Sequence, residues 1–449
     1  MRIFLYGLLA ILCSEPLSAQ PIIPPDAALQ RAVSQVSADS LRADVHVLVN
    51  FGTRHTLSNQ TDPNRGIGAA RRWVLARFRQ HMPVSGGRLS AKIVTWEQPQ
   101  DQHRVNRLIH MGNVVATLKG TDPSDKRIFM VTAHLDSRAT DVMDSTITAP
   151  GANDDGSGVA SLLEMVRVLS KYPMRATVMF VAVTGEEQGL LGSTHLAQQA
   201  VEQHWEVAAM INNDMIGQSM AGETGNRDNT RVRVFSEGIP MAETAPEKRI
   251  RLATGGENDS RSRQLARYIK MVGETFVDNL TVQLIYRQDR FLRGGDQEPF
   301  QERGFTAVRL TDFYEQFDHQ HQTIRTEDGV SYGDLEKYMD FEYLRKNTCL
   351  NLVTLYCLAN APSVPRNVVM DVRHLGNTTR LVWEPPQYGV AEGYVVWMRE
   401  TDAPLWQRKR YTQDTSIILP YSKDNYFFAV QAVGKDGMPS LPVFPGIGR

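Results

Sequence analysis

The sequence predicts an α/β fold: a mixed, mostly parallel sheet flanked by helices, followed by a C-terminal all-β sandwich. Three observations carry that reading. Between residues 127 and 217, three apolar runs, "RIFMVTAHLD", "ATVMFVAVT" and "VAAMINNDMIG", alternate with helical patterns. Strands that are apolar without alternation lie in sheets covered on both faces. A proline-punctuated stretch, "APSVP" at 361–365, then breaks the pattern. Beyond it come short strand-like runs separated by turn residues, as in a sandwich.

The elements follow in order. Residues 1–19 hold a basic residue, a short apolar run and the small-residue end Leu17-Ser18-Ala19, which predicts a secretory signal cut near Ala19. The apolar run is too short to span a bilayer comfortably. Residues 38–83 read as helices: Ser37 and Asp39 suit an N-cap, and Ile67, Trp73, Val74, Ala76 and Phe78 have helical spacing. "AKIVTWEQ" and "NVVATLKG" read as strands. The first two apolar runs are each followed by a helix, "GSGVASLLEMVRVLSKY" and "GLLGSTHLAQQAV". Residues 218–262 are polar and glycine-rich and read as a loop insertion with one strand-like piece, "RVRVFSEG". A helix over "SRQLARYIKMVGETFV", a strand over "FTAVRLTDF" and a last helix over "YLRKNTCLNLVTLYCLAN" complete the first domain, residues 20–360. Residues 361–449 form the second.

Composition excludes some function classes. Lysine plus arginine number 49 against 50 aspartates and glutamates, a formal net charge of −1. With no long basic stripe, nucleic acid is not an expected partner. No later run is long and apolar enough for membrane insertion. After signal removal two cysteines remain, Cys349 and Cys357, both in the last predicted helix. Eight residues of helix separate them by about 12 Å, too far for a disulfide. They read as core residues.

Residues able to bind metal recur at predicted strand ends, where α/β sheets place their sites. In "AHLDS", His134 and Asp136 are two apart and share a face of an extended strand. A metal-bound imidazole commonly gives its other N–H to a carboxylate. In "GANDDGSG", Asp154 and Asp155 occupy a tight turn before a helix, where either could cap or bridge cations. Glu186 and Glu187 follow the second run, and Asp214 follows the third. "YEQFDHQHQTIRTEDG" supplies His319 and His321. Each has an ordinary structural explanation alone. Together they would concentrate unpaired negative charge in one crevice, which a fold does not tolerate without compensation. Cations supply it. Histidine and carboxylate ligands without thiolates suit zinc, with cobalt or manganese as substitutes.

The ordered set "AHLDS", "GANDDGSG", "GEEQGLLGS", "NNDMIG" and a late histidine resembles the co-catalytic di-zinc aminopeptidases over residues 40–360. That family also includes plasma glutamate carboxypeptidase, glutamate carboxypeptidase II and the glutaminyl cyclases. The resemblance implies a zinc exopeptidase fold with two zinc ions per chain. It gives His134 and Asp214 to one metal, Glu187 and His321 to the other, and Asp154 to both. Asp136 would orient His134, and Glu186 would be the general base. Asp155 would cap or support. The family's last histidine is usually followed closely by threonine and aspartate. Thr323 favours His321 over His319, but the acids lie further on. "RGGDQEPF", residues 293–300, resembles a cleft-lining segment.

The expected activity is hydrolysis of N-terminal residues from peptides by a secreted or periplasmic aminopeptidase. A carboxypeptidase or dipeptidase on the same scaffold is the nearest alternative, and a non-catalytic binding ectodomain the more distant one. In the second domain, Trp383, Pro385-Pro386, Tyr394, Leu419 and Tyr426 resemble a fibronectin type III module. Such a module either binds a surface or polymer, or only packs against the catalytic domain.

Overall fold

The computed structural model describes residues 26–373 and 375–448. The predicted signal segment lies outside them. The described residues open with three helices, α1 (Ala27–Ser34), α2 (Ala38–Asn50) and α3 (Gly66–Arg79), and a strand pair, β1 (Leu89–Gln98) and β2 (Ile109–Leu118). The alternating region follows: β3 (Arg127–His134), α4 (Gly156–Leu169), β4 (Thr177–Val183), α5 (Leu191–Glu202) and β5 (Glu206–Asn213). Next come β6 (Arg231–Ser236), α6 (Ala245–Thr254), α7 (Arg261–Phe276), β7 (Thr281–Ile285), α8 (Glu298–Gln301) and β8 (Ala307–Asp312). A small hairpin, β9 (Arg325–Glu327) and β10 (Val330–Tyr332), precedes the long helix α9 (Phe341–Asn360). The remainder is all-β: β11 (Arg366–Asp371), β12 (Thr379–Glu384), β13 (Gly393–Glu400), β14 (Arg408–Thr412), β15 (Ser416–Leu419), β16 (Tyr426–Val433) and β17 (Gly446–Gly448).

Eight strands form one sheet in the order β1-β2-β4-β3-β5-β8-β6-β7. The pairs β4/β3, β3/β5, β5/β8 and β6/β7 are parallel; β1/β2, β2/β4 and β8/β6 are antiparallel. The predicted mixed, mostly parallel sheet is therefore present. From β3 the chain steps to β4 on one side, then crosses to β5 on the other. That reversal opens a crevice at the carboxyl end of β3. Helix α9 is buried along nearly its whole length, so its polar side chains need partners. Asn351 exchanges amide hydrogen bonds with Asn213, and Asn347 donates to the Ile216 carbonyl at 2.8 Å. The turn after β5 is thereby held from behind. Cys349 and Cys357 are buried and free on this helix, in keeping with their sequence reading. No helix among the described residues is long and apolar enough to cross a membrane.

Residues 218–262 correct the loop expectation. β6 is an interior strand of the main sheet, between β8 and β7. α6 is a helix with no buried residue, closed by a capping box between Thr244 and Glu247. Local capping rather than burial of an apolar face stabilises it.

Beyond α9, β15-β12-β11-β17 and β14-β13-β16 form two further sheets. Between them lie Leu381, Trp383, Tyr394, Val396, Leu419 and Phe428, among others. Trp383 meets Tyr394 edge-on at 5.2 Å between ring centroids.

Candidate metal centre

The crevice gathers side chains from four strand ends. His134 is the last residue of β3 and is 1% exposed. Its Nδ1 lies 3.0 Å from the Asp136 carbonyl, so Nδ1 carries the proton and Nε2 offers a lone pair. Nε2 faces Asp154 Oδ1 at 2.9 Å and Asp214 Oδ1 at 3.8 Å. Asp154 turns its other oxygen to His321 Nε2, again at 2.9 Å. His321 Nε2 also meets Glu187 Oε1 at 2.9 Å. That glutamate oxygen is buried and has no hydrogen-bond partner. The two atoms are close but out of line, as donors aimed at a common third point would be.

Two groups result, His134-Asp154-Asp214 and Asp154-Glu187-His321, each with its donor atoms within 4.8 Å of one another. Asp154 belongs to both, one oxygen to each. The sets are nitrogen and oxygen donors, and Glu187 Oε1 has the His321 contact but no aligned hydrogen bond. Both features fit divalent cations. The electrostatics agree. Burial opposes charge on His321, yet Glu187 and Asp154 push it up to about 10. Burial likewise resists ionisation of Asp214, but Arg309 and His134 hold it down at about 2. The carboxylates call for positive charge on their neighbours.

The turn before α4 fixes Asp154. Asp155 caps that helix through Gly158 N–H and accepts from the backbone N–H of His134 and Met215, tying β3, α4 and the turn after β5 together. The Asp154-Asp155 peptide is cis. Asp334 accepts from the amides of Asn153 and Asp154.

Asp136 departs from the expected role. The imidazole of His134 is held by its carbonyl, while the carboxylate stands 3.8 Å from Nδ1. That carboxylate instead accepts from the N–H groups of Gly185, Glu186 and Glu187 and from Thr56. Three consecutive amides, at 2.9, 3.3 and 3.1 Å, thus share one carboxylate. Asp136 therefore positions the Glu-Glu tip of β4.

Glu186 faces the cleft without joining either donor group. Burial raises its carboxyl well above the usual range, helped by Glu187 and Asp214 and opposed by His134. His319 is not part of the centre: it stacks on Tyr338 at 3.8 Å between centroids, and its Nδ1 is 3.3 Å from Gln218 Oε1. A cleft of about 650 Å³ opens above these groups. Arg293, Gly294 and Glu298 line it, so the 293–300 segment lies where expected.

Sequence reasoning missed Asp334, Arg309 and Thr56. Arg309, 2.9 Å from Asp214 Oδ2, is the one guanidinium inside the apolar run "FTAVRLTDF", a signal that could have exposed it. Asp334 carried no comparable mark.

Comparisons with known proteins give the chain a family. The profile of Peptidase family M28 matches residues 113–340, a span that includes every donor above. A probable zinc metalloprotease of Leptosphaeria maculans is 43% identical over 422 residues, covering 94% of this chain and 97% of that one. One of Pyricularia oryzae is 43% identical over 441 residues, covering 96% and 87%. Among solved structures, the LapA aminopeptidase of Legionella pneumophila has a TM-score of 0.52 at 19% identity over 76% of each chain. That likeness concerns the fold alone.

Proposed function

Since the chain belongs to peptidase family M28, we propose that it is a secreted, zinc-dependent aminopeptidase that removes N-terminal residues from peptides. The observation that carries this is Asp154, shared between two donor groups, with Glu186 left over beside them. His134 and Asp214 would hold one zinc ion, Glu187 and His321 the other, and Asp154 would give an oxygen to each. Two such ions, when bound, polarise a scissile carbonyl and acidify a water.

The chain's own residues supply the rest. Glu186 takes the proton of the attacking water and delivers it to the leaving amine. Asp136 keeps Glu186 and Glu187 in register by gripping their amides. Asp155 keeps the ends of β3 and β5 against the start of α4.

Release through the 1–19 signal and a fibronectin type III-like identity for residues 361–449 belong to the same proposal. The test is hydrolysis of amino-acid p-nitroanilides by purified protein. Chelation should abolish it, zinc should restore it, and elemental analysis should return about two ions per chain, one for each donor group. Zinc-loaded protein that binds less than one ion would sink the reading. So would cleavage of amino-terminally blocked peptides as fast as free ones, which would favour a carboxypeptidase or other activity.

A further inference from the structure

The walls of the cleft differ in charge from its floor. Arg104, Arg138, Arg290 and Arg293 all line it. Their neutralisation is incomplete. Glu315 serves three guanidiniums at once, Arg233 at 2.7 Å, Arg290 at 2.9 Å and Arg293 at 3.1 Å, and of the four wall arginines only Arg290 has, among the described residues, a further carboxylate outside the metal centre, Asp289 at 3.1 Å. Arg104 spends one nitrogen on the backbone carbonyl of Glu187, at 2.6 Å. Arg138 places its Nε 3.3 Å from the Ala139 carbonyl. Its nearest carboxylate oxygen, Glu187 Oε2, is 3.9 Å from Nη1 and belongs to a donor group of the metal centre. Glu298 is the one carboxylate on the wall outside that centre and Glu186. Once cations neutralise Asp154, Glu187 and Asp214, the cleft holds more guanidinium than carboxylate. A planar guanidinium with free N–H groups is matched to a carboxylate. Arg138 is 17% exposed, so a bond there would form largely out of water.

We propose that this cleft selects peptides bearing a carboxylate just beyond the scissile bond, with Arg138 as its principal contact. The inference rests on the aminopeptidase reading. The carboxylate comes either from the free C-terminus of a dipeptide or from an acidic side chain following the bond.

Binding to the zinc-loaded Glu186→Gln protein tests this without turnover. Calorimetry would compare Leu-Ala with Leu-Ala amide, and Leu-Glu amide with Leu-Gln amide. The first pair reports the terminal carboxylate and the second the side chain. Tighter binding of the charged member by about ten-fold, in either pair, is expected for a charge-assisted contact. Arg138→Met, added to Glu186→Gln, should erase that preference and leave the neutral members within about two-fold. Arg138→Lys should restore part of it. No preference in either pair overturns the inference, whatever the activity proves to be. A preference that survives Arg138→Met also overturns the role of Arg138, because the metals alone would then be reading the carboxylate. In active enzyme, Arg138→Met should raise KM for the charged substrate while kcat holds. The aminopeptidase reading fails separately, if acetyl-Leu-Ala is cleaved as fast as Leu-Ala.

Discussion

Two buried charge clusters in this molecule solve the same problem differently. At the contact between the main sheet's helices and the C-terminal strands, Asp259 is fully buried between two guanidiniums. Arg267 of α7 reaches it at 3.0 Å, and Arg399 of β13 meets its other oxygen. Arg399 also lies over the ring of Phe427, at 4.4 Å from its centroid. Arg267 donates to the Pro404 carbonyl, and Tyr268 donates to that of Pro439. This cluster closes its charge from within the chain. At the strand tips, Asp136, Asp154, Asp155, Glu186, Glu187 and Asp214 face Arg309, the more distant Arg54 and Arg138, and two imidazoles. The second cluster balances only with charge from outside. Buried carboxylates therefore speak for structure where guanidiniums complete them, and for a cation site where too few guanidiniums reach them.

The sharpest way to break the comparison is to remove what each cluster depends on. Glu186→Gln should lower kcat by about 10³-fold, the scale of a lost general base, with metal content unchanged by elemental analysis. Substantial turnover in a metal-replete variant would remove Glu186 from the chemistry. Chelation should also lower the melting temperature, because cations bound only by the folded chain stabilise it by about 4 kcal/mol at a thousand-fold excess over Kd. An unchanged melting point would mean that the strand-tip carboxylates need no cation.

Asp136→Asn should follow, with a loss of roughly 10–100-fold in activity. Asparagine keeps one acceptor oxygen for the three amides that the carboxylate now shares. Infrared or crystallographic evidence of an undisturbed 185–187 turn in this variant would return Asp136 to an imidazole-orienting role.

The other cluster predicts the opposite signature. Arg399→Met should leave kcat per folded molecule within about two-fold and cost about 2 kcal/mol in urea denaturation. That is below the usual cost of breaking a buried pair because Arg267 stays with Asp259. A large fall in kcat would mean that this contact also shapes the cleft.

The same contrast explains what the sequence could and could not disclose. The strand runs that lead to His134, Glu186 and Asp214 were legible because burial on both faces leaves no polar alternation, and strand ends are where sites form. The Asp155 cap was legible as a glycine-rich turn before a helix. α6 was not, since it buries nothing and is held by its own capping box. β6 was half-legible: "RVRVF" reads as a strand, but its place between β8 and β7 is fixed by pairings far along the chain. The amide partners of Asp136 lie 49 to 51 residues away in sequence, so only the folded sheet discloses its grip on the Glu-Glu tip. Asp334 reaches Asp154 across 180 residues and has no local pattern at all.

Between the two extremes lies Asp44, a buried carboxylate with a single guanidinium. Arg77 approaches it at 2.8 Å but is itself 25% exposed. Burial prevails over Arg77 here and raises the carboxyl from 3.8 to about 6. The sign of the effect follows from linkage. Below the unfolded pKa both states hold the proton, and the contribution to stability is fully present. As pH rises towards the folded pKa, the unfolded chain releases its proton first, and that contribution is lost. Wild-type stability relative to Asp44→Asn should therefore fall by on the order of 2 kcal/mol between pH 4 and pH 7. Measuring both proteins after chelation removes the metal centre from the difference, and other titrating groups cancel where they are distant from residue 44. A flat difference across that window would mean that Arg77 fully completes the Asp44 carboxylate. A slope of the expected sign would show that one partly exposed guanidinium is too little, which is the condition the strand-tip carboxylates share on a larger scale.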